Sequence, residues 1–162
     1  MLTPGINFTN FKIKKKSSLV KKNLISILKS KNEVVNSLSQ NYKNSFTKKL
    51  LHKYKKTSNY RVIGMGGSTL GTQTIYDFLK HKITKKFVFT DNLQANPTKN
   101  KKKYTNLIVS KSGNTIETIV NANIYIKNKN KNIFITGNKS SYLYSLAEKL
   151  KSDIIHHNNY IG

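Results

Sequence analysis

Several residue types are missing or scarce in this chain of 162 residues, and each absence excludes a class of protein. There is no cysteine, which excludes a disulfide framework and a thiolate metal site and fits a cytoplasmic protein. No apolar run approaches the roughly 18 to 20 residues that a membrane-spanning helix needs. The basic segment 12–16 is followed by Ser-Ser-Leu-Val and then by more lysine, so the apolar core of a signal peptide does not form and we expect none.

Acidic residues are scarce as well, since six stand against thirty basic residues and the net charge is +24. Such an excess suggests nucleic acid or an anionic membrane as a partner. Arg61 is the only arginine, however, and proteins that read bases or phosphates favour the bidentate guanidinium. Lysine, asparagine and isoleucine occur together along the whole chain, and these are the residues that AT-rich coding DNA favours. We interpret the charge as compositional drift and expect weak, salt-sensitive binding to polyanions, with no specific nucleic acid and no membrane as partners.

The hydrophobic pattern changes near residue 60 and predicts two parts. Residues 1–59 form an N-terminal arm with helices, because apolar side chains recur at helical spacing in 17–31 and 46–54. Residues 60–162 alternate apolar strands with helices, which predicts a parallel sheet covered on both faces. The expected strands are residues 60–63, 87–89, 107–109, 133–135 and 153–155. The predicted fold class is α/β, a three-layer αβα sandwich with a five-stranded parallel sheet in the flavodoxin-like order 2-1-3-4-5.

Apolar residues of two predicted helices define the faces that we expect to pack against the sheet. In the helix after the first strand these are Leu70, Ile75, Phe78 and Leu79, and in the helix after the third strand they are Ile116, Ile119, Val120 and Ile124.

The loop after the first strand, residues 64–68, reads Gly-Met-Gly-Gly-Ser. One interpretation is a tight strand–helix turn that ends in a capping serine. Another is a dinucleotide site, for which Asp91 at the end of the second strand would be the ribose-binding acid. Thr69 stands where the third glycine of that fingerprint belongs. A P-loop is excluded, because the chain contains no G-x-x-x-x-G-K-[ST].

The loop after the third strand, residues 110–115, reads Ser-Lys-Ser-Gly-Asn-Thr. A helix cap with Glu117 as its capping-box acid would explain one of its hydroxyl groups. Three hydroxyls, a lysine and a glycine in six residues exceed that need. A helix N-terminus also carries unpaired N–H groups and about half a positive charge. The sequence therefore favours an anion site here, with phosphate as the anion.

The predicted topology brings these two loops together. In an open parallel sheet, ligands bind beyond the carboxyl ends of the strands where the strand order reverses. For the order 2-1-3-4-5 that point lies between the first and third strands. Residues 64–68 and 110–115 are thus expected to face one crevice.

Two stretches resemble signatures of the glucose-6-phosphate isomerase family. Residues 62–71, Val-Ile-Gly-Met-Gly-Gly-Ser-Thr-Leu-Gly, look like its glycine-rich signature, and residues 109–117, Val-Ser-Lys-Ser-Gly-Asn-Thr-Ile-Glu, resemble its sugar-phosphate loop. The likeness covers roughly residues 60–162 and implies a sugar isomerase (SIS) domain. Residues 158–162 look like the approach to the family's Gly-Gly-Arg-[Phe/Tyr]-Ser segment, so we expect the chain to be an amino-terminal portion that ends within the domain.

The resemblance also implies which residues bind the sugar phosphate. They are Gly67, Ser68, Ser110, Lys111, Ser112, Gly113, Asn114 and Thr115. Gly113 and Asn114 would contact the phosphate through the backbone, and the others would line or hold it. Asn114 departs from the family's pattern, which often has threonine at this position.

The same resemblance implies an activity whose catalytic residues are outside this chain. The family interconverts glucose 6-phosphate and fructose 6-phosphate, in glycolysis and gluconeogenesis, by moving a proton between C1 and C2 of an enediol(ate). Its glutamate base, histidine, lysine and arginine would lie beyond residue 162, so we assign no catalytic residue and expect the isolated chain to be inactive. His156 and His157 are interpreted as bystanders. No cluster has metal-ligand spacing and no cofactor is expected, and the full-length protein is expected to be a homodimer.

Two alternatives remain at this stage. The phosphate-loop signature would also fit a stand-alone SIS module that senses a sugar phosphate. The charge would fit a polyanion-binding protein, which should bind DNA tightly at physiological salt.

Overall fold

The computed structural model describes residues 18–30, 32–93, 102–127 and 130–161. The chain divides into two compact units, Met1–Tyr42 and Lys43–Gly162. The first unit contains helix α1 (Ser18–Lys29) and the short helix α2 (Glu33–Asn36), which begins where the Asn32 side chain accepts a hydrogen bond from the Val34 N–H. The apolar side chains of α1 are exposed, and none of its residues is buried.

The second unit carries the sheet. Its elements in chain order are α3 (Lys48–Tyr54), β1 (Asn59–Ile63), α4 (Gly67–Leu79), β2 (Lys86–Thr90), β3 (Thr105–Val109), α5 (Ile116–Tyr125), β4 (Asn132–Thr136), α6 (Tyr142–Lys149) and β5 (Asp153–His156). All strand pairs are parallel and the order is β2-β1-β3-β4-β5, so the predicted α/β fold is confirmed. No helix in the described part of the chain has the length and hydropathy of a membrane span.

The main hydrophobic core lies between the sheet and helices α5 and α6. It joins Ile63, Ile108 and Phe134, on adjacent strands, to small or branched side chains of the two helices. The helix residues are Ala122, Leu143 and Ala147. Each of these strands contains a run of apolar side chains, because both faces of the sheet are covered.

Aromatic side chains pack on the opposite face of the sheet. Tyr60 of β1 and Phe87 of β2 are register partners, and their rings stack with centroids 5.0 Å apart. Tyr76 of α4 lies over Phe87 and Phe89, at centroid distances of 5.1 and 6.1 Å. Helix α4 therefore covers the β2 side of this face, and the layers follow the predicted αβα order.

The predicted inward faces of α4 and α5 are mostly wrong. Phe78 is 75% exposed and Ile116 is 67% exposed. Leu70, Ile75, Val120 and Ile124 are also exposed, whereas Leu79 and Ile119 are partly buried. The buried side chains of the two helices are Thr69, Thr118, Asn121 and Ala122. These small side chains let each helix lie close to the sheet beside the loop that precedes it. The larger apolar residues therefore form stripes on the outer surface.

The single arginine is buried inside the fold. Arg61 is 8% exposed, and its guanidinium carbon lies 4.5 Å from the ring centroid of Tyr104 and 4.1 Å from that of Tyr125. Burial lowers the pKa of Arg61, and the two tyrosines oppose that effect. The cation–π contacts give this charge a structural role in the core.

Helix α3 is held against the start of β5 by one carboxylate. Asp153 Oδ2 accepts hydrogen bonds from Lys53 Nζ at 2.6 Å and from the buried Tyr54 hydroxyl at 2.5 Å. Burial alone would raise the pKa of Asp153, but the bonds from Lys53 and Tyr54 and the attraction of the Lys53 charge lower it. Burial and the neighbouring carboxylate raise the pKa of Tyr54. These two hydrogen bonds connect α3, which precedes β1, to the edge strand β5.

We expect the stability of this chain to fall in acid through Asp153. A carboxyl with a depressed pKa in the folded state contributes stability above its unfolded pKa, about 3.9, and loses it as pH falls through the folded pKa. Asp153→Asn should therefore unfold more easily near neutral pH and lose less stability as the solution is acidified. Urea unfolding between about pH 7 and pH 2 measures both effects.

Asp77→Asn is the matched control, because Asp77 forms an exposed pair with Lys80 at 3.8 Å. Exposed pairs contribute little to stability, so this variant should keep the wild-type dependence on pH. Equal slopes for the two variants would contradict the role given to Asp153.

Candidate anion site

The two loops singled out by sequence lie side by side at the carboxyl edge of the sheet. They follow β1 and β3, which are hydrogen-bonded neighbours. The approach is close, because a Cβ placed on Gly64 would lie 2.9 Å from the Val109 carbonyl oxygen and 2.9 Å from Thr69 Cγ2. Real Cβ atoms do not come that near, so only glycine fits at residue 64 without movement. The predicted juxtaposition of the loops is thus observed.

Residues 110–115, here named the anion loop, are shaped from within by Ser110. This side chain is 2% exposed, and its Oγ accepts a hydrogen bond from the Gly113 N–H at 3.1 Å. The same oxygen lies 3.0 Å from Thr115 Oγ1. Ser110 therefore braces the turn from its buried side, whereas the resemblance implied that it holds the phosphate itself.

The other polar side chains of the anion loop lie nearer the solvent. Ser112 is exposed, and its Oγ accepts the Asn114 N–H at 3.3 Å. Thr115 occupies the N-cap position of α5 but makes no side-chain capping bond. Lys111 is half-buried and forms no ion pair with any carboxylate in the described residues. The loop thus offers hydroxyl groups and a cation that lacks an acidic partner.

The first turn of α5 leaves backbone donors available. Among the described residues, no acceptor lies within hydrogen-bond distance of the N–H groups of Ile116, Glu117 and Thr118, and the first bond into the helix is from the Ile119 N–H to the Thr115 carbonyl at 3.0 Å. An α-helix presents such N–H groups together with the positive end of its dipole. The start of α5 can therefore bind an anion.

Helix α4 contributes less to such a site. Its N-cap is Gly66, which has a positive φ of 52°, and the Ser68 and Thr69 N–H groups already donate to the Met65 and Gly66 carbonyls at 3.1 and 3.0 Å. Gly67 is exposed with open space around it, and Ser68 is half-buried. This side of the crevice can supply the Gly67 N–H and the Ser68 hydroxyl. A pyrophosphate would find fewer donors here than at α5, which weighs against the dinucleotide alternative.

A third loop, between β4 and α6, belongs to the site and was missed by the sequence analysis. The Gly137 N–H donates to the Lys111 carbonyl at 3.0 Å, and the Leu143 N–H donates to the Gly113 carbonyl at 3.1 Å. The Thr-Gly-Asn end of β4 and the serines before α6 were its only signs in the sequence. That pattern marks a turn and a helix cap, but it does not reveal which loop the turn supports.

The other residues that the sequence singled out lie around this edge without forming a catalytic group. Asp91 is half-buried after β2, and the next carbonyl, of Asn92, accepts a bond from Asn121 Nδ2 at 3.3 Å. The His157 N–H donates to the Thr136 carbonyl at 3.0 Å, and its ring Nδ1 lies 3.0 Å from the Asn158 carbonyl. No three His, Asp or Glu side chains gather into a metal site within the described ranges. Gly162, at the expected approach to the next signature, lies outside the described residues.

Gly113→Ala should disrupt the anion loop. Gly113 has a φ of 69°, and an added Cβ would overlap Ser141 and lie 2.8 Å from Thr136 Oγ1. We expect a loss of more than about 1 kcal/mol of stability, because both the backbone conformation and the space exclude a side chain. Gly71→Ala is the control: Gly71 lies in α4 with nothing within 4 Å of an added Cβ, so this change should stabilise the chain by about 0.5–1 kcal/mol. Thermal unfolding of the two variants compares them, and equal effects would refute this account of the loop.

The chain is similar to known proteins in sequence and in fold. No family model matches the chain. A glucose-6-phosphate isomerase of Methanocaldococcus jannaschii is 38% identical in an alignment 120 residues long, which covers 64% of this chain and 29% of that protein. A glucose-6-phosphate isomerase of Acholeplasma laidlawii is 37% identical in an alignment 119 residues long, which covers 61% of this chain and 28% of that protein.

A solved structure shows the same fold. The tagatose-6-phosphate ketose/aldose isomerase of Escherichia coli superposes with a TM-score of 0.55 and 20% sequence identity over 69% of this chain and 33% of that one. The chain spans less than a third of the length of the two curated relatives. Over that part, its resemblance to glucose-6-phosphate isomerases, first noted in the loops after β1 and β3, is confirmed.

Proposed function

We propose that this chain carries the sugar-phosphate-binding part of a glucose-6-phosphate isomerase. The observation that carries the proposal is the open N-terminus of α5, framed by Lys111 and by the hydroxyls of Ser112 and Thr115. The names of the two relatives support the choice of sugar phosphate as the anion. Glucose 6-phosphate and fructose 6-phosphate are then the ligands.

The role proposed for each residue of the site follows from how far its polar group is buried. The phosphate oxygens accept hydrogen bonds from the first-turn N–H groups of α5 and from the Lys111 ammonium. Bonds of this kind, with an ionised partner, are the strong ones in proteins. The hydroxyls of Ser112 and Thr115 add donors on the same side, and Ser68 and Gly67 face them across the crevice. Ser110 stays beneath the loop and keeps these donors in place.

The proposal assigns no proton transfer to this chain. Moving a proton between adjacent carbons needs a base within hydrogen-bond reach of the substrate, and that base is usually a carboxylate or a histidine. Glu117 is the acid nearest to the anion loop in sequence. It lies in the first turn of α5, where its negative charge interacts favourably with the positive end of the helix dipole. In this proposal the base is supplied by residues outside the chain, and the complete protein is a homodimer.

The purified chain should therefore show no isomerase turnover. The measurement is an assay in which glucose-6-phosphate dehydrogenase reports the conversion of fructose 6-phosphate to glucose 6-phosphate. A complete glucose-6-phosphate isomerase serves as the positive control. Turnover that survives purification of the chain to homogeneity would show that the base is present in these 162 residues.

Glucose 6-phosphate should nevertheless bind, and Lys111→Ala should weaken that binding. Loss of a hydrogen bond from a charged group costs about 1.5–3 kcal/mol, so we expect the Kd to rise about 10- to 100-fold. Ser110→Ala should weaken binding less, because it loosens the turn without removing a charge. Titration calorimetry at several salt concentrations measures these constants.

Lys149→Ala is the matched control for charge. Lys149 is exposed in the last turn of α6, so the variant loses the same charge far from the carboxyl edge of the sheet. Equal losses of affinity for Lys111→Ala and Lys149→Ala would mean that the overall positive charge binds the ligand. The polyanion-binding alternative would then be favoured.

A stand-alone SIS module that senses a sugar phosphate is the second candidate, because the described site offers donors to an anion and we assign no catalytic base to it. Both candidates predict binding, so titration cannot separate them. The coding sequence downstream of residue 162 distinguishes the isomerase from the stand-alone module. A Gly-Arg-[Phe/Tyr]-Ser continuation supports the isomerase, and a stop codon supports the module.

A further inference from the structure

The anion loop rests against the N-terminus of α6. The Tyr142 N–H donates to Asn114 Oδ1 at 2.9 Å, and the Leu143 N–H donates to the Gly113 carbonyl at 3.1 Å. The third donor of this turn, the Tyr144 N–H, bonds to Ser141 Oγ at 3.3 Å. All three N–H groups are therefore satisfied, and two of them are satisfied by the anion loop.

Helices α5 and α6 thus begin in opposite ways. The first-turn donors of α6 are bonded to protein acceptors, whereas those of α5 have no acceptor among the described residues. Asn114 connects the two, since its side chain caps α6 and its backbone leads directly into Thr115, the N-cap of α5. Its own N–H is fixed by Ser112 Oγ. Asn114 therefore joins the start of α6, whose donors are bonded, to the start of α5, whose donors are unpaired.

We infer that Asn114 is a positioning residue of the anion site. Its side-chain carbonyl anchors the anion loop to α6, and this anchor sets the direction in which the first-turn N–H groups of α5 point. The inference rests on the proposed function and refines it, because the resemblance implied only a backbone contact with phosphate for this residue. Asparagine suits the role, since its side-chain oxygen caps helix N-termini well.

The anchor is specific to this side chain. Without it, the loop keeps two backbone bonds to the β4–α6 segment, from Gly137 to Lys111 and from Leu143 to Gly113. Neither of these bonds involves residue 114. Without the bond from Tyr142, the peptide between residues 114 and 115 would no longer be fixed to α6. The first-turn N–H groups of α5 would then no longer be held in one orientation.

The test uses Asn114→Ala in the 162-residue chain, observed by amide NMR without ligand and then titrated with glucose 6-phosphate and with inorganic phosphate. In the free protein, we expect faster exchange of the Tyr142 amide and shifted amide signals from Lys111 to Thr118. The Kd for both ligands should rise about three- to tenfold, as the loss of one neutral hydrogen bond implies. Asn114→Asp, which keeps the accepting oxygen, should restore protection of the Tyr142 amide.

Ala147→Gly separates positioning from general loss of stability. Ala147 is fully buried in α6 and touches the core, so glycine there weakens the same helix without contacting the anion loop. This variant should lower Tm and leave the Kd for both ligands unchanged. An equal loss of affinity in Ala147→Gly, or unchanged loop amides in Asn114→Ala, would overturn the inference.

Failure of the proposed function has a different signature. In that case the wild-type chain binds neither ligand, and the Lys111→Ala titration is flat as well. The amide signals of the free protein still show whether Asn114 orders the loop. Shifted loop signals would then support the anchor, and unshifted signals would refute it.

Discussion

The parallel pairing of β1 with β3 is the constraint on which the rest of the site depends. The register sets Val62 beside Leu107 and Ile63 beside Ile108, so the two strands end within one residue of each other. Their following loops meet where the strand order reverses, and Gly64 lets the β1 loop pass close to the end of β3. A side chain at residue 64 would push the two loops apart. The glycine-rich signature thus has a packing cause in addition to its proposed binding role.

Much of the fold and part of the site could be predicted from sequence. The strands were predictable because each contains a short apolar run, which in the first four strands is followed within two residues by Gly, Asp or Ser. The position of the crevice followed from the predicted strand order. The inner faces of the helices were not predictable in this way. Periodicity locates an apolar stripe such as Ile116–Val120–Ile124, but it does not say whether small residues such as Ala122 will occupy the sheet side instead. The role of Ser110 and the support from α6 depend on contacts between loops that are far apart in sequence.

The charged residues limit how this chain could bind an anion. The single guanidinium is enclosed by Tyr104 and Tyr125 and is not available to a ligand. In the proposed site, phosphate would therefore be bound by an ammonium group, hydroxyls and backbone N–H groups. A net charge of +24 also raises the local concentration of anions at low salt. Specific and non-specific binding are then distinguished by their dependence on salt, because the charges that attract from a distance are screened first.

The two helix starts show how one motif serves two purposes. Each α-helix leaves N–H groups unpaired at its start, and a fold can satisfy them with protein atoms or leave them for a ligand. Here α6 uses Asn114, Gly113 and Ser141, so its positive end acts as a fixed support behind the anion loop. Helix α5 keeps its donors, and its cap residue Thr115 bonds toward Ser110 rather than inward to the helix. In this chain, α5 presents the unpaired donors, and α6, whose donors are hydrogen-bonded to protein atoms, holds the anion loop in place.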